Sequence, residues 1–175
     1  MVQAILEMII AFAIGSVPFG VLICQAFKLQ DPKSYGSGNI GATNVARQNK
    51  LAGFATLLLD AAKGGLAVLL LSSAPSTIFA VVLGHCYSPL MRFNGGKGVA
   101  TALGAIAISL PQVTGVLAIL WLTVLAKGKT VGAASIFASG FLVIYALLMK
   151  SIWLCLLGLL IILRHARNVA QLTAK

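Results

Sequence analysis

Acid is what this chain has least of. Among its 175 residues only Glu7, Asp31 and Asp60 carry carboxylates, and Glu7 and Asp31 flank opposite ends of one apolar run. No Ser-His-Asp arrangement can be assembled around so few acids, which disfavours covalent catalysis of that kind. Histidine is scarcer still: His85 and His165 are the only imidazoles, and without carboxylate or thiolate neighbours they define no metal site. The three cysteines, Cys24, Cys86 and Cys155, lie in apolar stretches without CxxC spacing and read as free buried thiols. Charged residues of all kinds make up 9% of the chain, and at 175 residues about six or seven spans with short loops are expected to leave no room for a soluble domain.

Hydrocarbon is what the chain has in excess. Hydrophobic residues form 59% of it and mean hydropathy is +1.01, the composition of an integral membrane protein. The first apolar run, Val2 to Phe27, has no Lys or Arg before Lys28 and an acidic Glu7 near its start. It therefore reads as a mature span and not as a signal peptide. Its Gly15-Ser-Val-Pro-Phe-Gly20 segment predicts a kink in mid-membrane or the close approach of a neighbouring backbone.

Polar residues and prolines divide the remainder into runs from Leu51 to Leu71, Thr77 to Met91, Val99 to Leu110, Val113 to Ala126, Val131 to Met149 and Ser151 to Leu163. The expectation is an all-α polytopic fold of about seven spans, forming one domain over residues 1–175. The runs at Thr77 and Val99 are shorter than the ~20 residues of a full crossing. The loop between them is thus predicted to dip into the membrane and to line a polar cavity.

The net charge of +10 points to topology signalling, not to nucleic acid, because the basic residues are spread over short loops. Lys28, Lys33, Arg47, Lys50, Arg92, Lys97, Lys127, Lys129, Arg164, Arg167 and Lys175 fall on one side and Lys150 on the other. The positive-inside rule makes the first side cytoplasmic and puts the N-terminus outside and the C-terminus inside.

Two glycine-rich loops interrupt the hydrocarbon on that basic side. The first, Gly36-Ser-Gly-Asn-Ile-Gly-Ala-Thr-Asn-Val-Ala-Arg47, offers Gly36, Ser37, Gly38, Asn39, Thr43, Asn44 and Arg47 as an oxyanion cradle. Thr43, Asn44 and Arg47 share a face if the chain turns helical after Gly41, and a helix N-terminus would add its positive end. The duller alternative is an ordinary turn with an N-cap. The second, Phe93-Asn-Gly-Gly-Lys-Gly-Val-Ala-Thr101, presents Gly95, Gly96 and Lys97, but it lacks the spacing and the Ser/Thr after lysine that a nucleotide P-loop requires. His85 serves the site or hydrogen-bonds a carbonyl at a helix end. His165 has Asn168 one helical turn on, able to reach the same place. Asp60 and Lys63, spaced i, i+3, read as an ion pair inside the bundle.

These motifs, with Asp60-Ala-Ala-Lys-Gly64, Gly84-His85 and Arg164-His-Ala-Arg-Asn168, together resemble the bacterial acyl-phosphate:glycerol-3-phosphate acyltransferase family called PlsY. The resemblance runs in order from Gly15 to Leu172. It implies transfer of an acyl group from acyl phosphate to the 1-hydroxyl of glycerol 3-phosphate, giving lysophosphatidic acid and phosphate at the start of membrane phospholipid synthesis. It further implies a multi-pass protein of the bacterial inner membrane, monomeric, with a cytoplasm-facing site, membrane lipids as surroundings and no cofactor, metal or nucleic acid.

The mixed anhydride carries its own leaving group, so binding and orientation suffice and no protein nucleophile is needed. Under this resemblance Ser37, Arg47, Lys97, His165 and Asn168 are the catalytic set. Gly36, Gly38, Asn39, Thr43, Asn44, His85, Gly95, Gly96 and Thr130 bind substrate or phosphate. The first loop holds glycerol phosphate, and the second holds the donor's phosphate. The base is His85, His165 or the substrate's own phosphate.

Departures from the family pattern are Lys33 and Asn94, where Arg and Lys are usual, and a proline displaced by one in Cys86-Tyr-Ser-Pro89. The third motif is represented only by Lys129-Thr-Val-Gly-Ala-Ala-Ser135, and no acid follows the Asn168 region. A small transporter or channel for an organic phosphate is the competing expectation, although the internal repeat common in transporters is missing.

Overall fold

The computed structural model describes the backbone of residues 1–173 and the side chains of residues 1–165. The described residues are helical and include no strand. In chain order the elements are α1 (Val2–Gly15), α2 (Phe19–Ala26), α3 (Ala42–Val45), α4 (Lys50–Leu70), α5 (Pro75–Cys86), a 3-10 turn (Pro89–Met91), α6 (Val99–Ser109), α7 (Pro111–Ala126), α8 (Val131–Leu148) and α9 (Ile152–Thr173). Three segments, Val2–Ala26, Lys50–Leu70 and Val131–Leu148, are long and apolar enough to cross a membrane. Val99–Ser109, Pro111–Ala126 and Ile152–His165 are shorter apolar helices.

Prolines set several boundaries. Pro75 and Pro111 sit in the first turns of α5 and α7, where the missing N–H would have had no intrahelical partner. The run expected to continue from Thr77 to Met91 ends at Cys86, because Pro89 starts a separate 3-10 turn. Pro18 breaks the first apolar run into α1 and α2 and so frees carbonyls in the interior. Side chains from other helices satisfy them: the Ser88 hydroxyl donates to Ser16 O at 2.6 Å, and Lys63 Nζ donates to Val17 O at 2.7 Å. In hydrocarbon a broken helix persists only with such replacements.

Glycine lets the helices touch backbone to backbone. A Cβ on Gly15 would overlap the Val81 carbonyl and one on Gly84 the Phe12 carbonyl, which locks α1 to α5. Gly64 against Thr101 and Gly104 against Ala61 do the same for α4 and α6, the small-residue packing expected where lipid removes any hydrophobic drive between helices. The surface is correspondingly apolar, with Leu58, Leu69, Leu122, Phe137, Ile144 and Leu148 exposed, while Asp60, Lys63 and His85 are buried.

Candidate active site

The first glycine loop is organised around the side chain of Asn44. This residue is 3% exposed, and its amide nitrogen donates to the carbonyls of Pro32, Tyr35 and Asn39, each at 2.9 Å. Its Oδ1 accepts the Ser37 N–H at 3.0 Å. Gly36 and Gly38 take φ of +57° and +66°, left-handed values that glycine adopts freely. A Cβ on Gly36 would also overlap Asn44 Oδ1. Asn39 Oδ1 accepts the Gly41 N–H at 2.8 Å, and Gly41 caps the single turn of α3. The amides of Ser37, Gly38 and Gly41 are thus engaged within the loop, and Ser37, Thr43 and Arg47 are left on its exposed face.

The second loop is strapped down on both edges. The Gly95 and Gly96 amides donate to the Cys86 and His85 carbonyls at the end of α5, each at 3.1 Å. Their own carbonyls accept from Arg164 on α9, Nη2 to Gly95 O at 2.8 Å and Nε to Gly96 O at 3.0 Å. The Arg164 guanidinium also lies 5.2 Å over the Tyr87 ring. A Cβ on Gly95 would overlap the His85 carbonyl, and one on Gly96 would overlap His85 Nε2. These glycines are required for close approach to α5.

Lys33 Nζ donates from the first loop to the Asn94 carbonyl of the second, so the two loops meet. Around that junction Asp31 stands against several cations. Burial, then the charge of Arg164, holds the Lys33 ammonium below the usual lysine range against the pull of Asp31. Burial, then Arg164 and Arg47, does the same for Lys97. No ion pair engages Lys33, Arg47, Lys97 or Arg164 among the described residues. His165 lies within reach of the charges of Lys97 and Arg164. Its Nδ1 is 2.8 Å from the Ile161 carbonyl; a carbonyl only accepts, so Nδ1 carries the hydrogen and Nε2 keeps its lone pair. The start of α8 closes this side, where Gly132 approaches the His165 ring.

The expected site residues differ in what the structure leaves free. The Asn44 amide is engaged by the cage around it. The Gly95 and Gly96 N–H groups are bonded to α5. Asn39 has its side-chain oxygen occupied. His85 is 4% exposed and lies under the second loop. The Thr130 oxygen accepts the Ala133 N–H at 3.2 Å as the N-cap of α8. Asn168 lies outside the described side chains. Arg164, which enters the sequence analysis as a topology signal and within the Arg164-His-Ala-Arg-Asn168 motif but not among the site residues, is the contact that sequence alone does not reveal. Its signal was a guanidinium with no acid one turn away, directly before His165.

A helical bundle with an apolar outer surface, helices long and apolar enough to cross a membrane and cations without ion-pair partners at the junction of its loops belongs to the class of polytopic membrane proteins. The model of the glycerol-3-phosphate acyltransferase family matches residues 5–175, and the chain belongs to that family. A glycerol-3-phosphate acyltransferase from Methylobacillus flagellatus is 41% identical, over 94% of this chain and 90% of the relative. One from Bordetella pertussis is 38% identical, over 94% and 86%. Among solved structures, the glycerol 3-phosphate form of PlsY (YgiH), an integral membrane glycerol 3-phosphate acyltransferase, matches with a TM-score of 0.87 at 34% identity, covering 98% of this chain and 92% of that one. The lysophosphatidic acid form of PlsY matches with a TM-score of 0.85 at 32% identity and the same coverage.

Proposed function

We propose that this glycerol-3-phosphate acyltransferase uses acyl phosphate as donor, and that one cationic pocket between the two loops receives both phosphates. Lys33, Arg47 and Lys97 are the observation that carries this reading: none of the three forms an ion pair among the described residues, and Asp31 is set against all of them, in a protein with almost no acid to spare. Anions supply the missing charge. Lys97 directly precedes Gly98, the N-cap of α6, whose leading amides have no intrahelical acceptor, and that end attracts negative charge.

Ser37, Thr43 and the free amide hydrogens of Asn39 orient the glycerol phosphate. The His165 Nε2 lone pair accepts the hydrogen bond of the 1-hydroxyl and aims its oxygen at the acyl carbon. Attack forms the new ester C–O bond, charge develops on the acyl oxygen near Lys97, and the C–O bond to phosphate breaks. The hydroxyl proton passes to Nε2, and inorganic phosphate departs. Asn168, one turn beyond His165, is assigned to the same pocket.

The setting proposed is a monomeric single domain of about seven spans, with α1 and α2 counted as one, in the bacterial inner membrane. The basic loops face the cytoplasm, the N-terminus lies outside, and no cofactor or metal takes part. Incubating the purified protein with acyl phosphate and glycerol 3-phosphate tests the reaction. Lysophosphatidic acid and phosphate should appear in equal amounts, whereas glycerol 3-phosphate flux into liposomes without acyl transfer would establish a carrier instead.

A further inference from the structure

The buried chain Asp60, Lys63 and His85 has no part in the chemistry above, yet it ends against the second loop. Lys63 is 3% exposed and makes three polar contacts: Asp60 Oδ1 at 2.7 Å, the Val17 carbonyl at 2.7 Å and His85 Nδ1 at 2.9 Å. An ammonium has three hydrogens and no lone pair. Each contact therefore takes one hydrogen; His85 Nδ1 also lies 3.5 Å from Asp60 Oδ1, but the shorter contact is with the Lys63 ammonium, toward which Nδ1 can only accept. The imidazole proton is left on Nε2, the opposite tautomer to His165. Nε2 points at Gly96, where any Cβ would collide with it, and the Gly96 amide is bonded to the His85 carbonyl. No described residue accepts a hydrogen bond from Nε2.

We propose that Asp60 and Lys63 are positioning residues for acyl transfer: they hold His85 with its Nδ1 lone pair occupied, so that Nε2 presents a neutral N–H donor under the Gly95–Gly96 turn to an oxygen of the reacting phosphate or acyl group. This role rests on the acyl-transfer reading and removes His85 from the candidate bases. It also explains the break in the first apolar run. Pro18 frees the Val17 carbonyl, which fixes the third corner of the Lys63 ammonium. Asp60 supplies the compensating charge for a lysine inside the bundle.

The test has two arms on the full chain in detergent. In the first, 15N spectra of imidazole-labelled protein should show His85 protonated at Nε2 and His165 at Nδ1. The Asp60→Asn/Lys63→Met double variant, which leaves no unpaired carboxylate, should shift His85 toward a mixture of tautomers. In the second, kcat is measured. His85→Gln, whose amide nitrogen can stand where Nε2 stands, should keep activity within about tenfold of the parent, and His85→Phe should lose about 100-fold, the effect of deleting one preorganised donor. The KM for glycerol 3-phosphate should change little in either. A His85 resonance protonated at Nδ1, or thermally stable Gln and Phe variants of equal activity, overturns the proposal. Failure of the parent protein to make lysophosphatidic acid overturns the functional reading instead and leaves the spectrum to be judged by itself.

Discussion

Arg164 gives the sharpest quantitative test, because its interactions can be counted and none of them is with substrate. Its guanidinium makes two bonds of 2.8 and 3.0 Å to the Gly95 and Gly96 carbonyls and stacks at 5.2 Å over Tyr87. Hydrogen bonds from a charged donor are worth about 1.5–3 kcal/mol each, and the half-buried setting places these at the lower end. A cation over an aromatic face adds about 0.5–1 kcal/mol. Arg164→Gln forfeits a total of about 3–4 kcal/mol. If the loop must be in place when the acyl group transfers, that converts to a loss of about 100- to 1,000-fold in kcat/KM.

The assay is lysophosphatidic acid formation at limiting and saturating glycerol 3-phosphate, with thermal unfolding in detergent as the check on folding. Arg164→Lys separates position from charge, since an ammonium keeps the cation but cannot span both carbonyls with a planar fork. It should remain at least about tenfold impaired, the loss of one such bond. A glutamine variant within threefold of the parent would refute the clamp. A fully active lysine variant would reduce Arg164 to a charge.

Four further outcomes are expected. Lys97→Ala should abolish turnover while the protein still folds, and near-normal activity would remove the second loop's cation from the mechanism. Lys97 sits below the ordinary lysine value of 10.5, so in the window beneath that value the unfolded chain binds more protons than the folded one. Ligand-free stability should therefore rise with pH there while KM for glycerol 3-phosphate worsens, as unfolding and kinetic titrations can check. Asn44→Ala leaves three carbonyls and one amide without their shared partner; it should lower stability by about 2–4 kcal/mol and expose residues 32–44 to limited proteolysis. Gly96→Ala should be inactive because its methyl meets His85 Nε2, and adding His85→Ala should restore part of the lost stability, a coupling that a double-mutant cycle reads directly.

The helical architecture was legible because hydrocarbon runs and prolines are local signals. The break at Pro18, the start of α3 after Gly41 and the Asp60–Lys63 pair all follow from spacing and backbone chemistry. The site was legible only by residue type. Ser37, Arg47 and Lys97 lie on the face or in the loop expected, but sequence could not say that Asn44 turns inward, because an amide that binds a phosphate and one that binds three carbonyls have the same composition. Arg164 was invisible for a different reason. Its partners are backbone carbonyls 68 and 69 residues away, and a carbonyl has no sequence signature.

That distinction changes what a glycine-rich loop means at a membrane surface. A P-loop holds phosphate with amides that are free because the loop stands in water ahead of a helix. Here the amides of Ser37, Gly38, Gly95 and Gly96 are already bonded to protein, as the backbone groups of closely packed segments are. Glycine is needed for the approach of backbone to backbone, and in the proposed function anion recognition falls chiefly to the side chains that the loops project. Those side chains carry charge without acid partners, and the near absence of carboxylates is what keeps them available. An acid introduced beside them should act as a built-in competitor for phosphate. Ser37→Asp is expected to raise KM for glycerol 3-phosphate by about tenfold or more, one unit-charge contact of about 1.4 kcal/mol, with thermal stability unchanged or improved as Arg47 gains a partner. Unchanged KM in a folded Ser37→Asp variant would place the anion pocket elsewhere.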